Sequence, residues 1–121
     1  MLQPDHSLAA TDLTPGLSMF WSLSGKKIQL IESNYDHSGG SPVFTVGGTY
    51  TTRGWTEWTQ GFEFGSGILQ FEATGDEWFL ELARNNTLER MAPHLSHFGV
   101  HDHGFNNVST YGNLLRLHES G

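Results

Sequence analysis

Thr74-Gly75-Asp76-Glu77 separates two stretches of helical periodicity and leaves the chain little choice between them. Before it, Phe64, Ile68, Leu69 and Glu72 recur at helical spacing over residues 60–73. After it, Phe79, Leu80, Ala83, Leu88 and Met91 carry the pattern to about residue 92, where Pro93 follows. Gly75 suits the left-handed residue that closes a helix, and Asp76 suits the cap that opens the next. So short a connection makes the two helices antiparallel neighbours. Gly61, Gly65 and Gly67 thin one side of the first helix, which suits a close helix–helix approach or access for a ligand.

The flanking segments extend this all-α expectation. Residues 1–11 are polar and lack periodicity, as a loose arm would. Asp12 is placed to cap a following helix with Pro15 in its first turn. Leu17, Phe20, Trp21, Ser24, Ile28 and Ile31 then mark an amphipathic helix over 14–32, weakened at Gly25. Residues 33–57 contain Ser38-Gly39-Gly40-Ser41-Pro42 and Gly47-Gly48-Thr49, so they predict a long irregular connection with one or two short extended pieces. Residues 94–104 form a connection rich in histidine and glycine. Val108, Tyr111, Leu114, Leu115 and His118 predict a last apolar-striped helix.

With 121 residues the chain is one domain at most. Thirteen acids against six scattered bases give a formal charge of −7, which disfavours nucleic acid and anionic membrane surfaces as partners. There is no cysteine, hence no disulfide, thiolate metal site or cysteine nucleophile. No apolar run reaches the length of about 18 residues that a membrane span requires. The N-terminus lacks the basic and apolar regions of a signal peptide, which slightly favours the cytoplasm and leaves the compartment open.

Three constellations carry possible chemistry. His94, His97, His101, Asp102 and His103 lie close in sequence, but neither His-Glu-x-x-His nor a thiolate framework occurs, and no metal or cofactor is expected. Asp102, flanked by imidazoles and followed by Gly104 two residues on, is either a helix cap or a carboxylate aimed into a cavity. Trp55, Trp58 and Phe62 lie among Thr59, Gln60 and Gly61, which suits either packing at a helix N-terminus or the stacking of a sugar ring. Phosphate-cradling glycine motifs and a Gly-x-Ser-x-Gly elbow are absent.

Taken in order, Trp58-Thr59-x-Gly61-Phe62, then Glu72-Ala73-Thr74-Gly75-Asp76-Glu77-x-Phe79, then His101-Asp102-x-Gly104-Phe105 resemble the N-terminal part of the unsaturated glucuronyl hydrolases, glycoside hydrolase family 88 and its relatives. Pro42-x-Phe44-Thr45 is similar to that family's aromatic loop. The resemblance runs through residues 42–121 and covers 12–41 in outline. It implies that residues 1–121 are the N-terminal part of a single (α/α)6-barrel domain, contributing about two of six helical hairpins. It further implies hydration of the C4–C5 double bond of a terminal unsaturated uronic acid, after which the product rearranges and releases the remaining sugar. Asp102 would be a catalytic carboxylate, with Trp58, Phe62, His101 and Phe105 around an oligosaccharide. The general acid/base would lie later in such a barrel, so this chain by itself would be inactive. His103 and Asn106-Asn107 stand where the family is more apolar, which leaves the substrate open. A non-catalytic carbohydrate-binding module and another (α/α)6 sugar enzyme, such as an epimerase or lyase, are the alternatives.

Overall fold

The computed structural model describes residues 7, 9–54, 57–98 and 101–121; most of the expected N-terminal arm, Trp55 and Val100 lie outside the described residues. A 3-10 turn, Ala10–Leu13, leads into α1 (Thr14–Asn34). A second such turn, His37–Gly39, precedes an antiparallel hairpin of β1 (Phe44–Val46) and β2 (Thr49–Thr51). Then come α2 (Thr59–Thr74), α3 (Glu77–Arg90), α4 (Ala92–Ser96) and α5 (His103–Asn107). A π-helical turn, Val108–Gly112, joins α5 without a break to α6 (Asn113–Ser120). The chain is mostly helical, as the periodicity predicts.

The α2–α3 hairpin is the centre. Gly75 adopts φ 73° and its amide donates to the Phe71 carbonyl, while Asp76 accepts a hydrogen bond from the Trp78 amide at 3.0 Å. Phe64 and Ile68 of α2 are buried with Phe79 and Ala83 of α3, and Met91 closes the far end. Gly67 brings the two helices together: a Cβ there would lie 3.0 Å from the Ala83 Cβ. On its other side, α2 meets the α5–α6 rod through Gly61 and Gly65. Added Cβ atoms at these two would fall 2.3 Å from the Asn106 Cα and 2.4 Å from the Ser109 carbonyl oxygen. The spacing of the α2 glycines therefore reports two different helix contacts.

Helix α1 docks through a polar, small-residue seam. Gly25 is buried against Gln70 and Phe79, the Gln70 side chain donates to the Trp21 carbonyl, and Asn86 donates to Glu32. Trp21, Ile28 and Ile31 are half-buried, while Leu17, Phe20, Leu23 and Leu30 are half exposed or more. Asp12 does not cap α1. Its carboxylate accepts from the Ala9 amide at 2.8 Å and closes the preceding 3-10 turn, which the sequence pattern cannot distinguish from the helix start. Pro93 likewise does more than follow α3: it sits in the first turn of α4, where a missing N–H is tolerated.

The hairpin within 33–57 turns on Gly47 and Gly48, with φ 58° and 81°, the paired positive values that a two-residue turn needs to match strand twist. At the other end of the molecule, Arg116 of α6 forms a two-pronged ion pair with Glu72 of α2 at 2.8 and 2.6 Å. Among the described residues, no helix is long and apolar enough to cross a membrane.

Candidate functional site

Three aromatic rings from the two motifs meet beside the N-terminus of α2. Trp58 and Phe62, four residues apart, lie edge to face at 5.7 Å. Phe105 of α5 completes the group, 5.5 Å from Phe62 and 6.2 Å from Trp58. All three remain about half exposed, so their faces are not used up in packing. Each is held from behind by a rigid element.

That support is a buried chain of hydrogen bonds whose direction is set by one backbone group. The Gly61 amide donates to Asn106 Oδ1 at 2.9 Å, which fixes the orientation of that amide side chain. Asn106 Nδ2 therefore donates to His94 Nδ1 at 3.3 Å, so His94 carries its proton on Nε2 and donates to Gln60 Oε1 at 2.7 Å. Asn107 adds a bond to the His94 carbonyl, and Thr110 bonds back to the Asn106 carbonyl. His94 and Asn106 are almost wholly buried. A connected polar core of this kind specifies one docking geometry, since any shift orphans several groups at once.

The histidines thus divide by role. His94 is a structural core residue; His97 Nδ1 and His103 Nε2 share a hydrogen bond at 2.7 Å; His101 is nearly fully exposed, 3.4 Å from Asp102 Oδ1. Among the described residues, no group of three or more histidine or carboxylate side chains stands close enough to hold a metal ion. Asp102 occupies the position before α5 but has helical φ and ψ of −72° and −5°, and its side chain makes no capping bond. The capping alternative is not realised, because a cap needs extended backbone to bring its oxygen over the first turn. Asp102 precedes Phe105 by three residues, which puts both on the same side of the short helix. Of the sequence-predicted residues, Trp58, Phe62 and Phe105 are in mutual ring contact, and His101 pairs with Asp102 at the same helix start.

A second polar group lies one residue from the triad and has no signature in the sequence. Glu63 Oε1 and His37 Nε2 are 2.7 Å apart and largely buried, joining α2 to the loop 26 residues upstream. Burial pushes the Glu63 carboxyl above the ordinary carboxylate range, against the opposing pull of His37, the Ser41 hydroxyl and Arg90. An acid raised in this way binds its proton more tightly folded than unfolded. Its contribution to stability is greatest below the unfolded value and declines as pH rises toward the folded one. Glu63→Gln is accordingly expected to raise stability at neutral pH relative to the parent chain and to flatten the loss of stability above pH 4–5; urea titrations at a series of pH values check the sign.

Comparison of the chain with protein-family models, curated proteins and solved structures finds no match.

Proposed function

We propose that this chain is the N-terminal part of an (α/α)6-barrel glycoside hydrolase resembling the unsaturated glucuronyl hydrolases, with Trp58, Phe62, Phe105, His101 and Asp102 on its sugar-binding wall. The observation that carries this reading is the meeting of the Trp58-Thr59-x-Gly61-Phe62 and His101-Asp102-x-Gly104-Phe105 motifs. Phe62 and Phe105 are in ring contact, and the backbone beneath them is clamped from Gly61 to Asn106. Half-exposed aromatic faces suit the C–H faces of a sugar ring, and the neighbouring carboxylate and imidazole suit its hydroxyls.

In this reading the chemistry is addition of water across an enol ether. A proton goes to one carbon of the double bond and the water oxygen to the other, and the hydrated ring then opens and releases the remaining sugar. The proton donor must keep its proton near neutral pH. Asp102 serves as the second carboxylate, holding that proton on its neighbour by like-charge repulsion and accepting from a substrate hydroxyl. The donor itself comes from a later part of the barrel.

The test uses a protein carrying the complete barrel and a disaccharide with a C4–C5 unsaturated uronic acid, followed by loss of ultraviolet absorbance of the conjugated double bond. Asp102→Asn is expected to lower turnover by roughly 100-fold or more. Near-normal turnover in a folded variant overturns the assignment. The 121-residue chain alone is expected to leave the absorbance unchanged. The exposure of the three rings equally favours sugar binding without catalysis; saturable binding with no turnover by the complete protein identifies that case.

A further inference from the structure

Helix α1 carries apolar side chains on the side it turns away from the rest of the chain. It docks through Gly25, buried against Gln70 and Phe79. At about 100° per residue, Phe20 lies roughly 140° round the helix from that seam. Leu13 and Lys27, seven residues before and after Phe20, fall on its line, and Leu17 and Leu23 flank it on either side. Leu13, Leu17, Phe20 and Leu23 are half exposed or more, as is Met19 beside them. Contiguous apolar surface of this kind marks a place where another molecule packs.

The charges along the stripe say what can cover it. Between Asp12 and Glu32 the chain carries only Lys26 and Lys27, so the stripe is acidic at one end and basic at the other. Glu32 is turned to the docking side, where it accepts from Asn86. A second copy laid parallel would set like charges side by side at both ends. Laid antiparallel, it brings Asp12 of each copy to Lys26 and Lys27 of the other, and the two helix dipoles oppose. The apolar residues fit the same arrangement. With Phe20 on the twofold axis, Leu17 of one copy meets Leu23 of the other, and Leu13 meets Lys27 with Asp12 next to it. The Asp12 carboxylate accepts from the Ala9 amide through Oδ2, which leaves Oδ1 for a lysine. The Lys27 amine stands 5.3 Å from the centroid of the Tyr50 ring, a contact that leaves it donors for a carboxylate.

We propose that α1 is the seat of an antiparallel homodimer, in which the Phe20 stripes of two chains pack together and Asp12 of each pairs with Lys26 and Lys27 of the other. The contact is isologous, so every interaction occurs twice. A seam of one helix per copy stands at the small end of specific interfaces, below about 1,200 Å2, and the dimer therefore forms in the micromolar range. Helix α1 supplies none of the residues of the sugar wall, so the dimer stands or falls apart from that reading.

Sedimentation equilibrium of the 121-residue chain at low salt, from about 1 to 300 μM, is expected to show the 13.5 kDa monomer giving way to a species of twice that mass. Phe20→Glu, with its fold checked by circular dichroism, is expected to stay monomeric throughout. Asp12→Lys, and Lys26→Glu combined with Lys27→Glu, are each expected to dimerise about tenfold more weakly, because both ends of the seam then bear like charges. An equimolar mixture of these two variants is expected to recover the parent affinity, since each end of the mixed dimer pairs opposite charges. A chain that stays monomeric over the whole range assigns the stripe to a different occupant and overturns the proposal. Assembly beyond the dimer, an unchanged dimer in folded Phe20→Glu, or a mixture no tighter than its two parts overturns it as well. The charge exchange decides the matter even where Phe20→Glu fails to fold, since Asp12, Lys26 and Lys27 are all exposed.

Discussion

Gly61→Ala is expected to destabilise the chain by roughly 3 kcal/mol or more, an unusually large effect for adding one methyl group. The new Cβ would lie 2.3 Å from the Asn106 Cα and 2.6 Å from the Phe105 carbonyl oxygen, both backbone atoms that no rotamer change can move aside. Helix α5 must back away as a unit. That lengthens the bond from the Gly61 amide to Asn106 and pulls Phe105 from Phe62, so the aromatic triad opens with the core. Gly16, which has open space around its Cβ position, is the control: Ala there is expected to be neutral or slightly stabilising, as Ala is the better helix former. Urea denaturation of the three chains gives the comparison. A Gly61→Ala midpoint within error of the parent contradicts the docking of α2 on α5.

The second large effect is expected at Asn106. Leucine fills a similar volume but offers neither acceptor nor donor, so the Gly61 amide and His94 Nδ1 lose their partners inside a dry core. Each orphaned group costs about 1–3 kcal/mol, and Asn106→Leu should therefore cost about 2–5 kcal/mol. The chain of bonds makes a sharper forecast. His94→Leu breaks the same run from the other side, so the double variant should lose less than the sum of the two single losses, by about 1 kcal/mol or more. Strict additivity in a double-mutant cycle means that the two side chains are not coupled.

How much of this architecture is legible in the amino-acid order depends on the range of each signal. The α2–α3 turn is local: Gly75 and Asp76 meet their required conformations within four residues, and both roles can be read directly. The Gly47-Gly48 hairpin is equally local. Gly61 and Gly65 announce a close approach but not its partner, since Ser109 and Asn106 lie more than 40 residues away. The link from His94 to Gln60 spans 34 residues between polar side chains, and no periodicity marks a buried histidine as distinct from a ligand. Glu63 escapes notice for a related reason. A glutamate between Phe62 and Phe64 looks like the solvent side of an amphipathic helix, and only the loop carrying His37 folds back to cover it. Asp102 shows the limit of motif reading: a capping and a non-capping aspartate share one sequence pattern, and only the backbone angles rule out the cap.

The π-helical turn at Val108–Gly112 has a consequence for how the last rod is keyed to α2. Each residue advances an α-helix by about 100°, so the extra residue in that turn rotates everything after it by about that angle. Before the turn, the rod presents Asn106 to the Gly61 amide; after it, Arg116 reaches Glu72. A uniformly wound helix satisfying the first contact would swing Arg116 about a quarter-turn away from the second. The wide turn thus acts as a phase adjuster, letting one continuous rod engage a single straight helix at both ends.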